Sequence, residues 1–270
     1  MKPDNDEKYE SLFKNDGKQQ LMDEVAVIIP ARYGSTRFPG KPLTPVGGRP
    51  LILHVLDRAR EISSAAKILV ATDDQRIADV VRKEGGEVAM TPSELASGSD
   101  RVGWVARNLH AKIIVNLQGD EPLIDTRGIR KAMEYLEQNA SVNVSTLGYP
   151  LDDEAKWKNP NVVKVLTNLD NKALYFSRSP VPNFRESRFH KMPGLFQHLG
   201  VYVYRREFLL NFLELEPAPF ETAEKLEQLR ILHYGYHIQV IQANFPSAGI
   251  DSPEDVEKVE QLLKEKVNFE

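Results

Sequence analysis

The residues with the clearest capacity for chemistry lie in one loop, at residues 30–43, with the sequence PARYGSTRFPGKPL. This loop carries three cations, Arg32, Arg37 and Lys41. Gly34 and Gly40 allow backbone N–H groups to turn toward a bound anion and approach it closely. Several fixed cations together with backbone donors match the charge of a triphosphate better than one lysine would. The loop therefore predicts a polyphosphate site, in preference to a surface loop with scattered solvated charges.

Two familiar phosphate motifs are excluded by the spacing. No G-x-G-x-x-G follows the preceding apolar segment, so a Rossmann dinucleotide site is not predicted. Lys41 is followed by Pro42 where a Walker P-loop needs serine or threonine. The phosphate loop is therefore of another type.

Two acidic junctions, far apart in the sequence, offer metal ligands. Asp120 lies in the segment NLQGDEP and Asp251 in the segment AGIDSPED. Magnesium in phosphoryl-transfer sites is typically held by one or two carboxylates and by substrate phosphate oxygens. Asp251 also suits the start of a helix before Pro253, a role compatible with metal binding. The chain has no cysteine, so thiolate ligands are excluded.

These residues need a scaffold, and the apolar pattern predicts an α/β one. Continuous apolar segments at 25–29, 67–72, 88–90 and 112–117 indicate buried parallel strands, and helices are expected from 51 onward, around 77–84 and at 100–110. This alternation predicts a mainly parallel, doubly wound sheet, whose carboxyl edge is where such folds bind ligands. In the second half, segments 162–167 and 173–177 predict a hairpin, 201–204 and 237–241 further strands, and 221–234 a helix. We expect the added strands to form an antiparallel insertion that covers the carboxyl edge.

Composition narrows the classes of partner. The chain has 270 residues, of which 41% are hydrophobic, and a net charge of −4, which argues against a protein that coats nucleic acid. No segment approaches the ~20 consecutive apolar residues that a bilayer span requires. The first residues are charged where a signal peptide would have an apolar core. We therefore expect a cytoplasmic protein with no nucleic-acid and no membrane partner.

The motifs taken together resemble the sugar nucleotidyltransferases of the glycosyltransferase-A-like fold. Among them the chain is similar to the 3-deoxy-manno-octulosonate (Kdo) cytidylyltransferases, also called CMP-Kdo synthetases. The resemblance runs from about residue 25 to residue 263 and depends on eight ordered motifs: PARY through GKP (30–42), ATD (71–73), SGSDR (97–101), QGDEP (118–122), YFSR (175–178), HLGVY (198–202), LEQLR (226–230) and GIDSPED (249–255).

The resemblance implies a role for each site residue. The triphosphate loop would contribute Ala31, Arg32, Gly34, Ser35, Arg37 and Lys41. The wall that recognises cytosine would contain Thr72, Asp73, Ser97, Gly98 and Arg101. Magnesium would be held by Asp120 and Asp251, which with Arg32 and Lys41 form the catalytic set. The sugar pocket would contain Gln118, Arg178, His198, Tyr202, Glu227 and Gln228.

The residues themselves leave alternatives for the sugar pocket. Arg178 can pair with the carboxylate of a sugar acid through two parallel hydrogen bonds. Glu227 and Gln228 also suit the exposed face of the helix expected at 221–234, and His198 also suits a purely structural histidine.

The resemblance also implies the reaction and the organisation of the chain. CMP would pass from CTP to the anomeric hydroxyl of Kdo, with release of pyrophosphate, for lipopolysaccharide biosynthesis. Residues 23–270 would be one nucleotidyltransferase domain, with sugar binding and homodimer formation at about 150–245. Residues 1–22, which are polar and charged and have no counterpart in the family pattern, are expected to be a flexible extension or a short docking helix.

Other substrates and a second class of function stay open. Ser99 and Asp100 replace the Thr and Glu frequent in the family, and with the loop at 32–39 they are similar to the branch that uses 8-amino-3,8-dideoxy-manno-octulosonate. A cytidylyltransferase acting on sialic acid and a non-catalytic CTP sensor are further alternatives.

Overall fold

The apolar segment VAVIIP forms a central strand, β1 (Val25–Pro30), whose first five residues are buried. The computed structural model describes residues 24–34, 38–62, 67–95, 97–185 and 188–267. The predicted extension at 1–22 and the loop residues Ser35 and Arg37 lie outside the described residues. The remaining strands are β2 (Pro45–Val46), β3 (Arg49–Pro50), β4 (Lys67–Thr72), β5 (Glu87–Met90), β6 (Ile113–Asn116), β7 (Val144–Pro150), β8 (Lys164–Thr167), β9 (Ala173–Ser177), β10 (Leu195–Arg205) and β11 (Gln239–Gln242).

The described helices alternate with these strands through most of the chain. Local signals set their ends: the side chain of Asp74 caps the second helix, and Gly85, with φ +73°, follows its last turn. The helices are α1 (Leu51–Arg60), α2 (Gln75–Lys83), α3 (Gly98–Arg107), α4 (Thr126–Gln138), α5 (Glu154–Lys158), α6 (Arg206–Leu213), α7 (Pro219–Glu224), α8 (Gln228–His233) and α9 (Glu254–Val267). None of them is long and apolar enough to cross a membrane.

One large sheet forms the centre of the molecule. Its strands run in the order β11-β7-β10-β6-β1-β4-β5, and β8 and β9 are attached to β10. The pairs β1–β4, β1–β6, β4–β5 and β7–β11 are parallel, whereas β10 is antiparallel to β6, β7 and β8. The predicted α/β fold with a mainly parallel sheet and antiparallel strands in the second half is therefore confirmed.

Helices cover both faces of the sheet, as a doubly wound fold requires. One apolar cluster packs side chains of α1, α2 and α4 against one face, and a second packs α3, α6 and α8 against the other. Many of these side chains, such as Ile52, Val105 and Leu209, have no exposed surface. Fully burying one such aliphatic side chain stabilises the fold by roughly 1.5–3 kcal/mol.

The long strand β10 connects the two halves of the chain. Its second half, Tyr202–Arg205, pairs with β6, whereas its first residues, Leu195–Gln197, pair with β8. Because β7 pairs along the other edge of β10, β8 must continue the line of β6 beyond the point where β6 ends. The β8–β9 hairpin therefore extends past the carboxyl end of β6, as predicted for the insertion.

Two predictions in the second half are wrong. The helix expected at 221–234 is two short helices, α7 and α8, because Lys225 between them has left-handed backbone, φ +54°. The strand expected at 237–241 is β11, which is parallel to β7 and not antiparallel. An amphipathic pattern does not reveal a single residue of positive φ. An apolar segment does not reveal whether its strand is parallel or antiparallel to its neighbour in the sheet.

Helices α4, α5 and α6 and strands β2, β3 and β7 were not predicted, and α4 and β7 are the longest of them. Asp125 is the N-cap residue just before helix α4. Its buried carboxylate accepts hydrogen bonds from the N–H groups of Gly128 and Asn244. Strand β7 has the sequence VSTLGYP, in which glycine, proline and hydroxyl residues weaken the strand signal. The strand is stabilised instead by its position between β10 and β11 and by the burial of its first five residues.

Lys164 is a fully buried cation in the β8–β9 hairpin. Its ammonium donates to the carbonyl oxygens of Asn159, Val162 and Arg178, at 3.0, 2.7 and 2.5 Å. Desolvation lowers the pKa of Lys164 to about 8. This amine therefore fastens the loop before β8 to the residue that follows β9.

We predict that Lys164→Ala lowers the free energy of unfolding by about 2–4 kcal/mol, because the carbonyl oxygens lose their donor and a cavity opens. The measurement is denaturant unfolding at pH 7. Lys158→Ala is the matched control, since that side chain is 63% exposed and should change stability by less than about 0.5 kcal/mol. Equal losses in the two variants would contradict the fastening role.

Candidate active site

A cleft of about 230 Å³ lies where β1 and β6 end. It brings together the phosphate loop, the start of α3 and both acidic junctions. The residues that line it are Pro30, Ala31, Arg32, Lys41, Pro42, Gly98, Arg101, Gln118, Gly119, Asp120 and Asp251. Residues spread over more than 200 positions of the sequence therefore meet at the carboxyl edge of the sheet, as the strand pattern predicts.

The phosphate loop is closed by its glycine and proline residues. Gly40 has φ +75°, and its N–H donates to the carbonyl oxygen of Tyr33 at 2.9 Å. A Cβ atom at Gly40 would lie 3.2 Å from the Tyr33 ring. Pro42 then stands near the start of a single 3-10 turn, Lys41–Leu43. This geometry directs Lys41 into the cleft.

Lys41 lies between the two acidic junctions. Its ammonium is 2.5 Å from Oδ2 of Asp120, 2.9 Å from the carbonyl oxygen of Ile250 and 3.7 Å from Oδ1 of Asp251. The Ile250 N–H donates to the Asp120 carbonyl oxygen at 3.0 Å, which fixes the two junctions side by side. The structure therefore brings Asp120 and Asp251 together, as predicted, around one lysine.

The helix-start role suggested for Asp251 is taken by another residue. Oδ2 of Asp255 accepts the N–H groups of Asp251 and Ser252, at 3.0 and 2.9 Å. The Asp251 side chain is 66% exposed and faces Lys41. It is therefore available to a ligand in the cleft.

Glu121 is a site residue that sequence reasoning missed, although it follows Asp120 directly in the QGDEP motif. The Ser247 hydroxyl donates to Oε2 of Glu121, and a Cβ atom at Gly249 would lie 3.2 Å from Oε1. Desolvation, followed by the charge of Asp120, raises the pKa of Glu121 to about 7. Glu121 therefore forms a second connection between the two acidic junctions.

The donor set of these junctions fits a hard divalent cation only in part. Carboxylate oxygens are preferred ligands of magnesium, and an ammonium already lies against both carboxylates. Among the residues that the structure describes, no group of three or more His, Asp or Glu side chains is placed to hold a metal ion. A magnesium ion here would therefore need further oxygens from a substrate or from water.

The predicted cytosine wall is held by its own hydrogen bonds. The Arg101 guanidinium is 2% exposed; it donates to Oδ2 of Asp73 at 3.1 Å and also to the Thr91 hydroxyl. The Thr72 hydroxyl, buried beside them, accepts the N–H of Asp74 at 3.2 Å. Arg101 and Asp73 are thus a structural pair, and their contact with a base stays a prediction.

The start of α3 faces the cleft through Gly98. Ser97 and Asp100 form a capping box, with hydrogen bonds of 3.1 and 3.0 Å. A Cβ atom at Gly98 would lie 3.4 Å from the Pro30 ring, so the helix start approaches the end of β1 closely. Helix N-termini carry a partial positive charge that favours anions.

Gln118 is the one predicted sugar-site residue among those that line the cleft. Its carboxamide Nε2 donates to Oδ1 of Asn116, 2.9 Å away at the end of β6. Asn116 is 1% exposed, and its Nδ2 is buried with no partner among the described residues. The pair therefore lies between the sheet and the cleft.

Four further sugar-site residues lie on or near β10, outside the lining of the cleft. The rings of His198 and Tyr202 are 5.4 Å apart, and Gln228 is 7% exposed at the start of α8, directly after Glu227. Burial, followed by the charges of Tyr204 and Glu227, raises the pKa of Tyr202 well above its usual value. These polar groups thus lie in a second region. Gln228 is buried, so it does not lie on an exposed helix face, which was the alternative considered for Glu227 and Gln228.

The His198 ring is anchored by a bulge in β10. The register with β7 shifts between Leu199 and Tyr202, and the Thr146 hydroxyl donates to the displaced Val201 carbonyl oxygen at 2.6 Å. Because the Thr146 hydroxyl already donates its one hydrogen to Val201, it acts as the acceptor for Nε2 of His198 at 2.9 Å. Desolvation lowers the pKa of His198 to about 3, so the ring is neutral near pH 7.

Arg178 is oriented by Glu224, a second residue that sequence reasoning missed. The Glu224 carboxylate accepts the Ser177 hydroxyl at 2.6 Å and the Arg178 backbone N–H at 2.9 Å. The Arg178 guanidinium donates to the carbonyl oxygens of Glu224 and Pro160, at 2.9 and 3.2 Å. No local pattern points to Glu224, because its partners are 46 and 47 positions away.

We predict that His198 makes stability depend on pH. Between pH 3 and the ordinary value of 6.5 the folded protein binds fewer protons at this ring than the unfolded chain, so the free energy of unfolding falls as the pH falls. Lowering the pH from 7.5 to 5 should remove about 2 kcal/mol through this group. His198→Gln keeps a donor for Thr146 but has no ring to protonate. In denaturant titrations its free energy of unfolding should therefore fall by about 2 kcal/mol less than that of the parent between pH 7.5 and 5.

His237→Gln is the matched control, because that ring is exposed. It should follow the parent protein at both pH values. A parallel decline in His198→Gln and the parent would show that the ring does not remain neutral.

Comparison with known proteins identifies the family of the chain. A family model described as cytidylyltransferase matches residues 26–240. The 3-deoxy-manno-octulosonate cytidylyltransferase of Geotalea daltonii is 46% identical over 251 residues, which cover 90% of this chain and 99% of that protein. The protein of the same name from Geobacter metallireducens is 45% identical over 248 residues, 89% of this chain and 98% of that protein.

A solved structure is similar over the same length. It is a CMP:2-keto-3-deoxy-manno-octonic acid synthetase in complex with CTP, 38% identical, with a TM-score of 0.84; the match covers 90% of this chain and 99% of that one. The chain therefore belongs to the 3-deoxy-manno-octulosonate cytidylyltransferase (CMP-Kdo synthetase) family of nucleotidyltransferases.

Proposed function

We propose that this protein transfers CMP from CTP to the anomeric hydroxyl of Kdo and releases pyrophosphate, with magnesium as cofactor. One observation carries the proposal: a cationic loop and two acidic junctions face each other across one cleft. The chain matches relatives named for this reaction over almost their full length. The use of CTP is supported by the similar synthetase solved with CTP.

The chemistry needs positioning and charge compensation more than covalent catalysis. Arg32 and Lys41 line the side of the cleft formed by the loop, where they can neutralise the triphosphate and the departing pyrophosphate. Asp120 and Asp251 would hold magnesium, which when bound lowers the pKa of the attacking hydroxyl and stabilises charge on the α-phosphate. The hydroxyl attacks the α-phosphorus in line, and no enzyme-bound intermediate is required.

The sugar acid is assigned to the region beside β10. Arg178 uses two N–H donors on carbonyl oxygens, and we assign the remaining donors of its five to the Kdo carboxylate. Glu224 and Lys164 hold the Arg178 backbone, so this cation is fixed before the sugar arrives. The neutral His198, Tyr202 and Gln228 are suited to hydroxyl groups.

The expected assay result is pyrophosphate release with CTP and Kdo, and none with UTP, ATP or GTP. Kdo, 8-amino-Kdo and sialic acid are offered in turn, and each assay is repeated with EDTA and after magnesium is restored. EDTA should abolish release because it removes the divalent cation that would offset the negative charges of the phosphates and of Asp120 and Asp251.

Other outcomes separate the alternatives. A preference for 8-amino-Kdo would keep the mechanism and move the protein to the sister branch, whereas the names of the relatives favour Kdo. CTP binding without release for any sugar would contradict the enzyme and favour a sensor.

We also propose a homodimer, and a location in the bacterial cytoplasm, where the product would enter lipopolysaccharide assembly. Among the described strands β9 pairs only with β8; the Ala173 N–H at its start donates to the Ile238 carbonyl oxygen, and no described strand covers the rest of that edge. Leu174 on β9 and Phe220 at the start of α7 are 61% and 54% exposed. An open edge beside apolar side chains is a favourable surface for a second copy.

Light scattering should therefore give a mass near twice 30.6 kDa. Leu174→Asp should shift the mass toward one chain, because a charge would be buried at the contact. Asp170→Asn, at the exposed turn before β9, is the control and should remain dimeric. A single-chain mass at all concentrations would contradict the dimer.

A further inference from the structure

Lys41 occupies the position that a cation would take between the acidic junctions. Its ammonium is within 4 Å of three oxygens, on Asp120, Ile250 and Asp251. Its side chain is only 15% exposed. The two carboxylates that the proposed function assigns to magnesium are thus already neutralised in part by a residue of the chain.

The same ammonium has a second partner in the proposed function, the triphosphate of CTP. An ammonium that lies against both carboxylates would repel a divalent ion arriving between them, since like charges at such separations destabilise one another strongly in a partly dry cleft. Lys41 therefore cannot remain where it is when the metal site fills. Its four-carbon side chain carries a compact charge that can move to a new set of oxygens.

The two acidic junctions do not depend on Lys41 to stay side by side. The Ile250 N–H binds the Asp120 carbonyl oxygen at 3.0 Å, and the Ser247 hydroxyl binds Glu121. These bonds connect the two junctions without the lysine. The acidic pair would therefore stay assembled after the ammonium leaves, as an exchange of cations requires.

We infer that Lys41 closes the metal site in the nucleotide-free enzyme, and that the divalent cation enters only together with the nucleotide, whose triphosphate withdraws the ammonium. The inference extends the proposed function and depends on it for the identity of the nucleotide. Among the described residues no third carboxylate or imidazole joins Asp120 and Asp251, so the pair alone binds a divalent ion weakly, which agrees with a site completed by the substrate. The species bound is thus the metal–nucleotide complex.

The test measures binding of Mn²⁺ to the full chain without nucleotide, by electron paramagnetic resonance of the free ion. Lys41→Met should bind Mn²⁺ at least tenfold more tightly than the parent, because the competing cation is gone. Lys158→Met, an exposed lysine on α5, is the matched control and should bind like the parent. Lys41→Gln replaces Lys41→Met if the latter does not fold, and Asp120→Asn added to either variant should remove the gain.

The results distinguish this inference from the proposed function. Equal or weaker Mn²⁺ binding in folded Lys41→Met and Lys41→Gln would overturn the exchange, even if the parent makes CMP-Kdo. A tenfold gain that Asp120→Asn removes would support it, even if no sugar yields pyrophosphate. With CTP present, the parent should bind Mn²⁺ beyond the amount that the same concentration of CTP binds without protein, and failure to do so in an enzyme that turns over would also overturn the inference.

Discussion

The close approach of Gly119 to the end of β1 is the constraint on which the active site depends. A Cβ atom at Gly119 would lie 2.8 Å from the Pro30 carbonyl oxygen, so no larger residue fits without moving the backbone. The Asp120 carboxylate can therefore reach the phosphate loop, which begins at Pro30. The contact with Lys41, the pairing with the Asp251 junction and the cleft itself all follow from this distance.

Around this contact, regular structure forms the region assigned to the nucleotide, and irregular structure forms the region assigned to the sugar. The parallel strands hold the cleft to which we assign the nucleotide, where charges must be fixed before the reaction. The region to which we assign the sugar is formed by a bulge, a hairpin and two short helices. Thr146, Glu224 and Lys164 each use side-chain hydrogen bonds to hold backbone there.

The sequence was sufficient for the parts that depend on continuous apolar segments and local motifs. The predicted strands at 25–29 and 67–72 match β1 and β4, and the segments with Arg32, Lys41, Asp120 and Asp251 meet as expected. The break at Lys225 could not be predicted, because one left-handed residue decides it. Glu121 and Glu224 were missed because long-range contacts, not their neighbours in sequence, define their roles.

The double pairing of β10 has a consequence for how substrates enter. A single strand of 11 residues hydrogen-bonds to β6 beside the cleft and to β8 in the hairpin that extends past it. Opening the cleft by a hinge between these halves would break one of these ladders. Widening the space between the two halves without breaking a ladder is therefore left to side chains and loops.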